Sequence, residues 1–80
     1  GEALKYKSDD RDVLEALKTG WEEALRENPQ APENHIGLGQ AYQYMNDFGM
    51  ARAEYQQALV FDKNNAIAKK LLADLGQAQR

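Results

Sequence analysis

Apolar residues recur at helical spacing in four stretches of this chain, separated by clusters of turn-forming residues. The first stretch places Val13, Leu14, Leu17, Trp21, Ala24 and Leu25 on one stripe, with Glu15, Lys18, Glu22, Glu23 and Arg26 on the other side. That pattern predicts an amphipathic helix. Ser8, Asp9 and Asp10 offer acceptors for the unpaired amides of its first turn. Asn28-Pro29 ends it, because the residue before a proline is pushed out of the helical region. Gly20 inside it costs about 1 kcal/mol relative to alanine. A second helix is predicted from about Pro32 to Met45, with proline accommodated in the first turn and Leu38, Gly39, Tyr42 and Met45 on one face. Asn46-Asp47 reads as a tight turn in which Asp47 caps a third helix near Phe48 to Phe61. Phe48, Ala51, Tyr55, Ala58 and Leu59 form its stripe. Asp62-Lys63-Asn64-Asn65 breaks the pattern again. A last helix from about Ala66 carries Ile67, Leu71, Leu72 and Leu75 before a polar finish at Gly76 to Arg80. The β-branched residues Val13, Thr19, Ile36, Val60 and Ile67 are scattered, so no strand is predicted. The class is all-α.

An internal repeat adds an architecture. Shifted by 34 residues, Leu14 meets Phe48, Leu17 meets Ala51, Lys18 meets Arg52 and Trp21 meets Tyr55. Ala24-Leu25 meets Ala58-Leu59, the breaker Asn28-Pro29 meets Asp62-Lys63, and Leu38-Gly39 meets Leu72-Ala73. A single offset therefore relates helix, breaker and following helix, which is the mark of a repeat. Within Pro32–Asn65, Leu38, Gly39, Tyr42, Ala51, Tyr55 and Ala58 fill in order the places of the tetratricopeptide pattern, and Phe48 takes a place that is usually aromatic. The segment resembles one complete tetratricopeptide repeat. It departs from the family where His35 stands in place of a larger residue and Lys63 in place of a proline.

The resemblance implies antiparallel helical hairpins in a short right-handed superhelical stack of about four helices. Residues 1–9 are then a flexible N-terminal segment, 10–31 the second helix of a partial repeat, 32–65 the complete hairpin, and 66–80 a terminal or capping helix. It also implies a job. In such arrays the first helix of each hairpin lines a concave surface where a peptide or partner protein binds. By position that surface takes Glu33, Ile36, Gln40, Gln43 and Tyr44, extended by Ile67, Lys70 and Asp74. Family members that grip a C-terminal carboxylate use Lys, Asn and Arg in the groove. Here Ile36 and Gln40 hold corresponding places, Gly37 leaves another empty, and only Lys70 is cationic, so a mixed polar and apolar groove is expected instead. Two alternatives stay open: a scaffold segment that stacks end to end through exposed ends such as Leu17 and Trp21, and an accessory domain of a larger protein.

Composition changes this picture little. With 42% hydrophobic and 29% charged residues the chain reads as an ordinary globular domain, and no stretch approaches the roughly 20 apolar residues a membrane span needs. A net charge of −3 without clustered Lys and Arg disfavours nucleic acid. Charge is uneven: residues 1–30 hold eight acids against five bases, and the rest five of each. The absence of cysteine removes thiolate metal sites and disulfides. His35 has no second histidine or nucleophile of matching pattern beside it, so a hydrogen-bonded structural role at the hairpin interface is expected. Asp9, Asp10 and Asp12 lack the glycine and distal glutamate of a calcium loop, and Gly37-x-Gly39 lacks the strand and third glycine of a nucleotide site. The expectation is a non-enzyme without a cofactor.

Overall fold

The computed structural model describes the backbone of residues 9–78 and the side chains of residues 11–77. Four helices follow in order: α1 Asp9–Glu27, α2 Pro32–Tyr44, α3 Phe48–Phe61 and α4 Ala66–Ala78. No described residue is in a strand. The segment Gly1 to Ser8, which holds the Ser8 cap and all of the expected flexible stretch but Asp9, lies outside the described residues, as do Gln79 and Arg80.

Local chemistry sets the helix ends. Pro32 opens α2, and Ala31 before it makes no side-chain cap. Asn34 instead turns back to close the previous helix, its amide donating to the Ala24 carbonyl at 3.2 Å and the Asn28 carbonyl at 3.4 Å. Each carbonyl also accepts a backbone amide, Ala24 from Asn28 at 2.9 Å and Asn28 from Ala31 at 3.2 Å, so Asn34 adds a second bond to both. At the next turn Asn46 sits at φ 64°, in the left-handed region that asparagine tolerates better than most residues. Asp47 then caps α3 by accepting from the Met50 amide. Asn65 does the same for α4 through Oδ1, which accepts from the Ala68 amide at 2.9 Å.

The helices pack chiefly with their sequence neighbours, α2 against α3 most extensively. The core gathers Ile36, Ala51, Tyr55, Ala58, Ala68 and Leu75, with Tyr42, Phe48, Leu59, Leu71 and Leu72 packed against it. Glycine permits the close approaches. A Cβ on Gly39 would lie 2.5 Å from the Tyr55 ring, and one on Gly37 would penetrate the Trp21 ring. Gly37 is thus not an empty place in a groove: it is buried beneath Trp21 of α1.

His35 ties three elements together. Its Nε2 donates to the Pro29 carbonyl at 2.9 Å, Nδ1 lies 3.0 Å from Glu54 Oε1, and the ring stacks on Phe61 with centroids 5.5 Å apart. Buried between α2, α3 and the preceding loop, it holds the hairpin at the place where the family pattern asks for a larger residue. No buried polar side-chain atom among the described residues lacks a partner.

Candidate binding groove

Two recesses meet at Tyr44, the last residue of α2. On the α4 side, Gln40, Gln43, Tyr44 and Leu71 line a shallow recess of about 160 Å³. On the α1 side, Arg11, Leu14, Glu15, Tyr44, Met45 and Asn46 line a larger cleft of about 460 Å³. Tyr44 is 65% exposed between them. A tyrosine held in this way offers an apolar face and a hydroxyl to whatever enters, with few rotatable bonds to immobilise.

Helix geometry explains which residues meet. Gln40, Gln43 and Tyr44 are three and four positions apart, so they share one side of α2. Gln43 also serves the interior, since its Oε1 accepts a 2.7 Å hydrogen bond from the Tyr55 hydroxyl. That bond orients the Gln43 amide while leaving its nitrogen able to donate. Lys70 and Asp74 are exposed on α4 and pair across one helical turn at 3.4 Å, so the site carries no unopposed cation there. Ile67 is 60% exposed on the same helix, and Glu33 is exposed near the start of α2. None of these four lines the two recesses.

One expected groove residue is elsewhere. Ile36 is only 8% exposed and belongs to the core cluster with Ala51, Tyr55 and Ala68. Helix α2 is enclosed along His35–Gly39, five consecutive buried residues, so the face given to the groove is narrower than the repeat pattern implies. Arg11, Leu14, Glu15, Met45, Asn46 and Leu71 were not among the expected groove residues. Met45 and Asn46 enter because the α2 C-terminus curls under Tyr44: the Met45 and Asn46 amides bond to carbonyls of Ala41, Tyr42 and Gln43. A turn placed by Asn46-Asp47 carries that signal, whereas the arrival of α1 depends on packing.

Electrostatics at the α1–α2 junction are mild. Lys18 Nζ lies 5.8 Å from the Tyr42 ring centroid, a cation–π approach between the two helices. Burial holds the Tyr42 hydroxyl above its ordinary value, opposed by Lys18 and reinforced by Glu22, Glu54 and Asp47. Among the described residues no group of three His, Asp or Glu side chains could hold a metal ion. No described helix is long and apolar enough to cross a membrane.

Residues 32–65 match the family model of the tetratricopeptide repeat. No curated protein matches the chain. Repeats of this family commonly mediate contacts between proteins and are typically not catalytic.

Proposed function

With residues 32–65 a tetratricopeptide repeat and the described residues an all-α hairpin stack, we propose that the chain is a small interaction module. It holds a peptide or partner protein in the groove around Gln40, Gln43 and Tyr44 and performs no chemistry of its own. Ile67, Lys70 and Asp74 extend the contact surface along α4, and Glu33 does so toward the start of α2.

The observation that carries this reading is Tyr44, a large side chain left 65% exposed between two recesses while Tyr55 of the same hairpin is fully buried. The groove mixes carbon surface from Tyr44 and Leu71 with the amides of Gln40 and Gln43. The Lys70–Asp74 pair on α4 is self-compensated, and Arg11 and Glu15 bring one charge of each sign to the cleft on the α1 side. Such a surface suits an uncharged stretch of peptide with one apolar anchor, since glutamine amides can satisfy backbone groups while Tyr44 covers the anchor.

Peptides selected by display against the chain test the groove directly. They are titrated into isotopically labelled protein, and amide shifts are mapped. The expected result is that shifts concentrate at Gln40, Gln43, Tyr44 and Leu71. Selected peptides whose shifts concentrate on α3, at Met50, Gln57 and Val60, would contradict the groove.

A further inference from the structure

The two ends of the stack present faces that the interior shows to be partners. Within the hairpin, α3 closes Ala51, Tyr55 and Ala58 against α2, and all three are fully buried. The repeat equivalents of these residues on α1, 34 positions earlier, are Leu17, Trp21 and Ala24. They line an open apolar depression of about 330 Å³ together with Ala16 and Gly20, and Leu17 is 39% exposed. On the opposite side of the hairpin contact, α2 contributes His35, Gly39 and Tyr42, of which His35 and Gly39 are buried. Their equivalents on α4 are Lys69, Ala73 and Gly76, all exposed.

We infer that α4 of one copy docks on α1 of the next, so that the two form a hairpin between chains. Size and charge both favour this occupant. In the hairpin a large Tyr42 and a small Ala51 share the core; at the ends the equivalents are a small Gly76 and a large Leu17, so volume is exchanged across the contact and not lost. The internal approach of Gly39 to Tyr55 becomes Ala73 against Trp21, still a small residue facing a ring. The His35–Phe61 contact becomes Lys69 of one copy opposite Glu27 of the next.

Helix α1 carries seven acids against three bases, whereas α4 carries Lys69 and Lys70 against Asp74. Pairing α1 with α1 of another copy would therefore set acid on acid, and pairing α4 with α1 sets base on acid. Each charge is also poorly placed within its own helix. Glu27 ends α1 and Lys69 lies near the start of α4, the reverse of what the helix dipoles favour. Neither is ion-paired among the described residues. Bringing them together relieves both. The contact is heterologous, so it propagates in place of closing at a dimer. It is independent of the peptide groove, which involves other faces.

Sedimentation equilibrium over a concentration series tests it on the whole chain. The average mass is expected to rise with concentration past that of a dimer, and to fall as salt is added. Lys69→Glu and Glu27→Lys alter exposed positions and should each weaken association about three- to tenfold. An equimolar mixture of the two variants should recover it, because junctions between unlike variants again set opposite charges together. Circular dichroism melting of each variant confirms that the fold is intact. A monomer at every concentration overturns the proposal, as does association that Lys69→Glu leaves unchanged.

Discussion

Tyr55 shows how one side chain sets the hairpin. It is fully buried against Gly39, and its hydroxyl donates to Gln43 at 2.7 Å, so the phenol satisfies its polar end while filling the interhelical gap. Burial pushes its pKa from 10.0 to about 12, with Tyr44 adding to the shift. The sign of the linkage follows from that direction. The unfolded chain ionises first, so the contribution of Tyr55 is fully present below pH 10 and is lost as pH rises toward 12. Stability measured by denaturant unfolding should therefore fall between about pH 10 and pH 12, and Tyr55→Phe should make that fall shallower. An unchanged slope in the variant would mean that other groups carry the alkaline loss. The role of Tyr55 was legible in the sequence, because its spacing from Ala51 and Ala58 marks one stripe. Ile36 was not. Its exposure depends on how many neighbours enclose α2, and the unbroken buried run His35–Gly39 erases the periodicity that would have told one face from another.

At the level of the elements, close approach and capping decide the geometry. Gly20 and Gly37 are both helical glycines, yet their surroundings differ. Nothing lies within 4 Å of a Cβ placed on Gly20, while one on Gly37 meets the Trp21 ring. Gly20→Ala should raise stability by about 0.5–1 kcal/mol through helix propensity. Gly37→Ala gains the same propensity but forces Trp21 aside, and should lower stability by about 1–2 kcal/mol net. Melting temperatures moving in the same direction would show that α1 does not rest on Gly37. The helix boundaries themselves were readable from local chemistry. Proline after Asn28, the Asn46-Asp47 turn and the Asp62–Asn65 breaker place the ends because they act over a few residues. The cap on α4 belongs to Asn65, whose side chain also donates to Asp62 at 3.1 Å. Asn65→Ala should destabilise the chain by about 1 kcal/mol in chemical denaturation. A change within error would leave α4 without need of that cap.

For the molecule as a whole, the repeat period determines which helices are neighbours, and packing determines which residues remain available. A 34-residue offset relates α1 to α3 and α2 to α4, so the end faces and the groove are both consequences of one pattern. Gln40, Gln43 and Tyr44 could be placed at the groove from that pattern, since they fall on one side of a helix bounded by clear signals. The cleft beyond Tyr44 could not, because it depends on the angle at which Arg11, Leu14 and Glu15 of α1 arrive. The resulting surface is short, and Tyr44 is the residue that its two recesses share. The central claim is that this side chain anchors a partner. Val60 makes a stringent control, being 68% exposed on α3 and outside both recesses. Isothermal titration of a display-selected peptide into the parent, Tyr44→Ala and Val60→Ala chains compares the two directly. Affinity should fall about tenfold or more for Tyr44→Ala and stay unchanged for Val60→Ala. Equal affinities for the parent and Tyr44→Ala would contradict the claim.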